Sequence, residues 1–249
     1  MNFQLRKHKI LEILNAKDST EVADLAIEIG TSEITIRRDL NTLASQGLLT
    51  RTHGGAIRND FDKPKIAFFD KNDLNVDAKE EIAQKASELI KDGEIIFFDC
   101  GSTVFRMCKY LKNRKIKVVT NSVPVLLELL NSEVQINFAG GEIDVERQAA
   151  HGKIAIEHIA RYKADKAFVG VDGISIANGL SANSEKEVEM TLVMADNAKE
   201  TYFLCDSSKF EKDNYLPFAG IDFVKNIITD SKIGNQILNK YAESGIVFF

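Results

Sequence analysis

A short polar segment, residues 99–103 (DCGST), follows a run of apolar residues and precedes a stretch with helical spacing. Backbone N–H groups and the positive dipole end at the start of a helix favour an anion. Gly101 permits close approach of a ligand to the backbone, and the hydroxyls of Ser102 and Thr103 can donate hydrogen bonds. The Asp99 carboxylate is unsuited to an anion but can accept hydrogen bonds from ligand hydroxyl groups. The segment therefore predicts a site for a ligand that carries both an anionic group and hydroxyl groups.

Helical and strand-like runs alternate from Lys79 onward, which predicts a mainly parallel sheet with helices on both faces. The predicted strands span 94–99, 116–120, 134–139, 166–171, 201–205 and 226–229. The predicted helices span 79–91, 103–112, 122–130, 152–162 and 184–198.

Further polar and glycine residues follow these strands. The carboxyl ends of parallel strands lie at one edge of the sheet, where ligands bind. Each turn taken alone is also a common connector, but several at one edge favour a shared site. Besides Asp99, Gly101, Ser102 and Thr103, the predicted contacts are Asn121, Ser122, Gly140, Gly141, Asp172 and, as a point charge, Lys209.

The beginning of the chain has a different pattern. Residues 3–16 have helical spacing, and a second short helix is predicted to be capped by Ser19 or Thr20 and ended by Gly30. A third helix begins after Ser32, ends at Gly47 and buries one stripe of Ile36, Leu40 and Leu43. The alternating run 48–56 closes with two glycines and predicts a β-ribbon. Three short helices followed by a ribbon predict a winged helix-turn-helix.

The first turns of the third helix would enter the major groove of DNA. Arginines there can donate to guanine or to a phosphate, and the sequence leaves both open. Arg51 and His53 suit contact with the DNA backbone or minor groove by the wing. The alternative is that Arg38 and Asp39 merely solvate the helix surface. The predicted DNA-contacting residues are Ser32, Thr35, Arg37, Arg38, Asn41, Arg51 and His53.

Charge and composition set the limits. The 249 residues carry a net charge of −5, but residues 1–58 hold eight basic against seven acidic residues, which favours an anionic partner for that end. No apolar run is long enough to span a membrane. Three cysteines without metal spacing favour a reducing cytoplasm, and neither a metal nor a cofactor is predicted. The predicted organisation is a DNA-binding domain (1–58), a linker (59–78) and an α/β domain (79–249).

Residues 32–56, SEITIRRDLNTLASQGLLTRTHGGA, resemble the DNA-binding signature of the DeoR/GlpR family of bacterial transcriptional regulators. The resemblance implies a second domain with the fold of sugar-phosphate isomerases, which senses a phosphorylated sugar and alters affinity for operator DNA. It also implies a homo-oligomer, a dimer or tetramer. The resemblance continues in FFDCGST (97–103), VVTNS (118–122), AGG (139–141), KAFVGVDGI (166–174) and CDSSKF (205–210).

Two segments depart from the family pattern. Gly179 and Leu180 are followed by Ser181 and Ala182, where many relatives have two threonines. The segment 142–152 (EIDVERQAAHG) also differs from its counterparts. Both departures are expected to reshape the sugar end of the ligand site.

The prediction is a cytoplasmic repressor of carbohydrate-metabolism genes that is controlled by a phosphorylated sugar. One alternative is a sugar-phosphate isomerase-like enzyme fused to a DNA-binding module, with Asp99, Asp172, Glu185 and Lys209 as acid and base. Another is a DNA-binding protein whose second domain only oligomerises. Ligand-induced stabilisation would exclude the latter, and turnover of the ligand would identify the enzyme.

Overall fold

A computed structural model describes residues 3–17, 19–45, 49–52, 54–57 and 74–249. The chain divides into two compact units, Met1–Pro64 and Lys65–Phe249. Most of the predicted linker lies outside the described residues, so the domain boundaries at 58 and 79 stay predictions. The helix predicted to begin at Lys79 begins at Val76.

The described part of the first unit contains three helices and one antiparallel sheet in the strand order β1-β3-β2. This arrangement is the predicted winged helix-turn-helix. Its elements are α1 (Phe3–Lys17), β1 (Ser19–Glu21), α2 (Val22–Ile29), α3 (Glu33–Ser45), β2 (Thr50–Arg51) and β3 (Gly55–Ile57).

The predicted stripe of α3 forms the centre of this unit, since Ile36, Leu40 and Leu43 are fully buried against the other two helices. Gly30 ends α2 in the left-handed conformation (φ 71°), which allows the tight turn into α3. The predicted cap at Ser19 or Thr20 is wrong, because both residues lie in β1 and pair with β3. The predicted stop at Gly47 lies outside the described residues.

The second unit is built on a seven-stranded parallel sheet in the order β15-β14-β12-β9-β4-β5-β6. The strands are β4 (Ile95–Phe98), β5 (Lys117–Thr120), β6 (Gln135–Phe138), β9 (Ala164–Gly170), β12 (Ala198–Leu204), β14 (Asn226–Ile228) and β15 (Val247–Phe248). The helices are α4 (Val76–Glu88), α5 (Ser102–Leu111), α6 (Val123–Leu129), α7 (Lys153–Ile159), α8 (Glu185–Asp196) and α9 (Asn235–Ala242).

Helices cover both faces of this sheet, as the alternating pattern predicted. α4, α5 and α6 pack on one face, and α7, α8 and α9 pack on the other. Phe98 and Phe97 are adjacent in β4 and point to opposite faces, so the two cores share a strand that is buried on both sides. The α/β fold class is therefore confirmed.

Two smaller pieces of sheet were not predicted. One is a hairpin of β7 (Glu142–Asp144) and β8 (Ala149–His151), and the other pairs β10 (Gly173–Ser175), β11 (Gly179–Ala182) and β13 (Leu216–Ala219). These strands have three or four residues each, too few to show an alternating pattern. Both pieces follow strands of the main sheet and build up its carboxyl edge.

The strand order reverses beside β4, because β5 lies on one side of it and β9 on the other. Loops leaving β4 and β9 therefore separate and open a crevice between them. Among the described residues, no helix has the length and apolar character needed to cross a bilayer.

Candidate nucleic-acid interface and ligand cleft

The start of α3 is organised by side-chain hydrogen bonds. Ser32 Oγ accepts from the Thr35 backbone N–H at 3.3 Å and lies 2.9 Å from the Thr35 hydroxyl, so it caps the helix. One turn further, Arg37 Nη2 lies 3.0 Å from Glu33 Oε2 in an exposed ion pair. The polar side chains of this end therefore hold one another in place.

The outward face of α3 is made of Ile34, Arg38 and Asn41, which follow one another at i, i+4 and i+7 and are all exposed. Within the described part of the chain, no ion pair engages the Arg38 guanidinium. Ile34 is 75% exposed although it is strongly apolar. Sequence reasoning did not select Ile34, because only polar side chains were considered for DNA contact.

Asp39 has a different role from its neighbour Arg38. It is buried, and it accepts from Arg6 Nε at 2.6 Å and Nη2 at 3.0 Å. This two-point bond joins α3 to α1, and the hydrogen bond to Asp39 raises the pKa of Arg6. The suggestion that Asp39 merely solvates the surface is therefore wrong.

The wing is a tight hairpin. The Arg51 guanidinium donates to the carbonyl oxygen of Gly55, and Thr52 Oγ1 accepts from the Gly55 N–H at 3.0 Å. A Cβ at Gly55 would lie 2.0 Å from the Thr20 carbonyl oxygen, so β3 can approach β1 only with glycine there. Arg51 thus stabilises the wing from which it would meet DNA, while His53 lies outside the described residues.

In the second unit, a cleft of about 300 Å³ opens at the carboxyl edge of the sheet. Its walls are formed by the segments that follow β4, β9 and β12, together with the start of α4 and parts of β11 and α8. Six of the ten predicted ligand contacts line it: Asp99, Gly101, Ser102, Thr103, Asp172 and Lys209.

Lys79 of α4 also lines the cleft and was not predicted. It is buried, and its ammonium donates to Ser102 Oγ at 3.0 Å, at the first residue of α5. The signal was present in the sequence, because Lys79 shares the buried stripe of α4 with Ile82, Ala83 and Ala86. A lysine in an apolar stripe requires a polar partner.

Asp99 connects the two loops at the floor of the cleft. Its Oδ1 accepts from the Gly101 N–H at 2.7 Å, and its Oδ2 accepts from the Gly170 N–H at 2.6 Å. Burial raises the pKa of Asp99 to about 6, although these two backbone hydrogen bonds lower it. Each carboxylate oxygen already has a backbone partner, so Asp99 fixes the shape of the floor.

Buried Arg147 and partly buried Glu187 form an ion pair in the wall of the cleft. Burial lowers the pKa of Arg147, but the surrounding acidic groups, Glu187 foremost with Cys100 and Asp172, together outweigh this and raise it. Neither residue was predicted as a contact. Glu185, which the acid–base alternative named and which precedes Glu187 by two residues, does not line the cleft. Arg147, Ser181 and Ala182 come from the two segments that depart from the family pattern, so both departures reach this wall.

The other four predicted contacts do not line the cleft. Asn121 Nδ2 donates to the Ala150 carbonyl at 2.9 Å, and Ser122 Oγ accepts from the Val125 N–H at 3.4 Å as the cap of α6. Gly140 and Gly141 follow β6, and a Cβ at Gly141 would lie 2.5 Å from the His151 carbonyl oxygen. Asn121, Ser122 and Gly141 position the hairpin β7–β8, whose connecting turn carries Arg147.

The entrance of α4 forms one rim of the cleft. Asn75, the residue before the helix, adopts the left-handed conformation (φ 52°). Its side-chain amide donates to Asp206 Oδ1 at 3.2 Å and to Ser208 Oγ at 3.1 Å. Hydrogen bonds therefore join Asn75 to segment 206–209, which also contains Lys209.

The three cysteines are buried, and no disulfide joins them. Burial raises the pKa of the Cys108 thiol to about 12 and that of Cys205 well above its ordinary value. Among the described residues, no group of histidine, cysteine, aspartate or glutamate side chains is arranged to hold a metal ion.

A winged helix-turn-helix joined to an α/β unit with a ligand cleft defines the class of ligand-responsive transcriptional regulators. Two family models match the chain: the DeoR-like helix-turn-helix domain over residues 6–61 and the DeoR C-terminal sensor domain over residues 74–231. The chain therefore belongs to the DeoR family of transcriptional regulators.

Relatives match over nearly the whole length. The lactose phosphotransferase system repressor of Lactococcus lactis is 36% identical over 248 residues, covering 98% of this chain and 97% of the relative. The L-fucose operon activator of Haemophilus influenzae is 32% identical, covering 98% and 97%. Both relatives are regulators of transcription. Ribose 5-phosphate isomerase A from Methanocaldococcus jannaschii matches in structure with a TM-score of 0.40 at 21% identity, over 53% of each chain.

Proposed function

We propose that this protein represses carbohydrate-metabolism genes and is released from its operator by a phosphorylated sugar bound in the cleft. The observation that best supports this proposal is the buried ammonium group of Lys79, which donates a hydrogen bond to Ser102 at the start of α5. A cation, two hydroxyls and the positive end of a helix dipole at one point suit a phosphate group. The Thr103 hydroxyl supplies the second hydroxyl donor.

The remainder of the cleft suits the sugar. Asp172, Arg147 and Glu187 offer further hydrogen-bonding groups in the cleft, and Ser181 and Ala182 leave more room than two threonines would. These residues belong to the segments in which the chain departs from the family pattern. We therefore expect them to determine which phosphorylated sugar is bound.

Coupling to DNA is proposed to run through the start of α4. Leu74, Asn75 and Lys79 line the cleft, and they are the first described residues after the connector that leads from the DNA-binding unit. A ligand that contacts them and the 206–209 segment changes the free energy of the conformation at the end of the connector. Effector and operator would then be linked reciprocally through a dimer or tetramer in the cytoplasm that places two winged helices on paired half-sites.

The direct test is fluorescence anisotropy with DNA from upstream of the protein's own gene, followed by titration with sugar phosphates, inorganic phosphate and the parent sugars. We expect one phosphorylated sugar to release the DNA while its parent sugar does not. Specific DNA binding that no phosphorylated sugar alters would refute the sensor role. Turnover of the sugar phosphate would support the isomerase alternative, for which the curated relatives give no support.

Lys79→Met then tests the phosphate end. Loss of a buried, hydrogen-bonded charge should weaken effector binding by about 100-fold, or roughly 3 kcal/mol, measured by calorimetry. Lys91→Met is the matched control, because Lys91 is exposed and lies outside the cleft. Equal affinities of the two variants would show that Lys79 does not hold the phosphate.

A further inference from the structure

We propose that Ile34 contacts the C5-methyl group of a thymine in the operator and so contributes to sequence specificity. This inference rests on the proposed function, in that it takes α3 as the helix that enters the major groove. It assigns a role to a residue that neither charge nor hydrogen-bonding capacity identifies.

Ile34 lies on α3 but outside its buried stripe. The buried stripe of α3 is complete without it, because Ile36, Leu40 and Leu43 are fully buried while Ile34 is 75% exposed. Ile34 lies one turn before Arg38 on the outward face. In a helix-turn-helix the residues near the start of the second helix contact base edges, so Ile34 lies where bases are recognised.

The polar neighbours of Ile34 on α3 are engaged within the protein. The Thr35 hydroxyl is engaged by Ser32, and the Arg37 guanidinium is engaged by Glu33. At this end of the helix, Ile34 and Arg38 are thus exposed side chains that no ion pair or side-chain hydrogen bond engages among the described residues. One is apolar and the other is cationic, so they must meet different features of the DNA.

The major groove of DNA presents polar base edges and the methyl group of thymine. Base edges there are hydrogen-bond donors and acceptors, except for the C5-methyl group of thymine. An isoleucine placed over a polar edge would leave that edge without water or a partner, which is unfavourable. Placed over a methyl group, it buries apolar surface on both sides. The chemistry of Ile34 therefore selects thymine.

The chain supplies a matched control in Ile27, which lies on α2 and is 81% exposed. Ile27 and Ile34 are the same residue type with similar exposure, but only Ile34 lies on the recognition helix. Replacing either by alanine removes the same atoms from the surface. A difference between the two variants therefore reports the location and not the chemistry of the substitution.

The experiment starts with selection of bound duplexes from random DNA by the full chain. In the selected site each thymine is replaced in turn by uracil, which lacks only the methyl group, and affinity is measured by fluorescence anisotropy. We expect one position in each half-site to weaken wild-type binding about fourfold, the effect of one buried methyl group. Ile34→Ala should bind the thymine site more weakly and show no difference between thymine and uracil at that position.

Ile27→Ala should keep the wild-type difference, and Ile34→Val should keep most of it. Unchanged discrimination in Ile34→Ala, or a selected site in which no thymine responds to uracil, would overturn the role of Ile34 and leave DNA binding by α3 intact. Failure to select any DNA would instead refute the proposed function. Thermal unfolding of each variant identifies any loss of fold.

Discussion

The outward face of α3 and the cleft of the second unit both carry cations, but in opposite environments. Arg38 lies in solvent, where salt screens its charge. Lys79 is buried against Ser102, where salt has little access. DNA binding should therefore weaken steeply as salt increases, whereas effector binding should be sensitive to the loss of a single buried group. A flat salt response of DNA affinity would count against the assignment of α3.

The largest effect is expected from Gly55→Ala, which would separate the two regions. The new Cβ would lie 2.0 Å from the Thr20 carbonyl oxygen, so β3 could no longer pair with β1. We expect about 4 kcal/mol less stability for the DNA-binding unit and loss of operator binding. Effector affinity, measured by calorimetry, should stay unchanged. Gly54→Ala is the control, because a Cβ there meets nothing within 4 Å.

The next effect concerns pH and the cleft alone. The folded-state pKa of Asp99 is about 6 and its ordinary value is 3.8, so the folded state binds more protons between these values. The contribution of Asp99 to stability is thus fully present below about pH 4 and is lost as the pH rises through 6, by up to about 3 kcal/mol. Urea denaturation from pH 4 to 7 should show this decline in the wild type relative to Asp99→Asn. Parallel curves would show that Asp99 does not titrate in this range.

Arg38→Ala should weaken operator binding about 10- to 100-fold and leave the fold and effector affinity intact. Arg37→Ala should have a smaller effect, because Arg37 is already paired with Glu33. The salt dependence of each variant would show whether the lost contact was to a phosphate, since the slope then falls by about one ion. Loss of fold, effector binding and DNA binding together would mean that Arg38 is structural.

The smallest effect tests the proposed link between the two regions. Asn75→Gly keeps the left-handed backbone and removes the hydrogen bonds to Asp206 and Ser208. We expect nearly unchanged stability but a two- to fivefold smaller effect of the effector on DNA affinity. Asn75→Ala should add a loss of about 1 kcal/mol from backbone strain. An unchanged effector response in Asn75→Gly would exclude this link.

The two regions also differ in how far sequence could predict them. The recognition helix is one contiguous segment with one period, so its buried stripe, its cap and its exposed arginine follow from spacing. The cleft draws Lys79, Arg147 and Glu187 from three separate elements, and no local pattern brings them together. The ion pair between Arg6 and Asp39 was not predicted for the same reason, since the two residues lie on separate helices.

The alternation of helices and strands predicted the parallel sheet well, because strands buried on both faces are continuous apolar runs. The predicted turns lie at the carboxyl edge of the sheet, but not every turn at that edge lines the cleft. Asn121 and Ser122 follow β5, on the side of β4 away from β9, and they hold the hairpin β7–β8 instead. Strand order, which short turns do not encode, decides which turns line the cleft.

The strand order also determines when, during synthesis of the chain, the cleft can form relative to the winged helix. β4 becomes a central strand only when residues 166–168 have been made and have paired with residues 96–98. The floor of the cleft, with Asp99 bonded to Gly170, therefore closes only after Gly170 has left the ribosome, whereas the winged helix uses contacts among residues that leave it earlier. At about 5–20 residues per second, roughly 6 to 23 seconds separate the two events. A nascent chain thus gains its DNA-binding fold before it can respond to an effector.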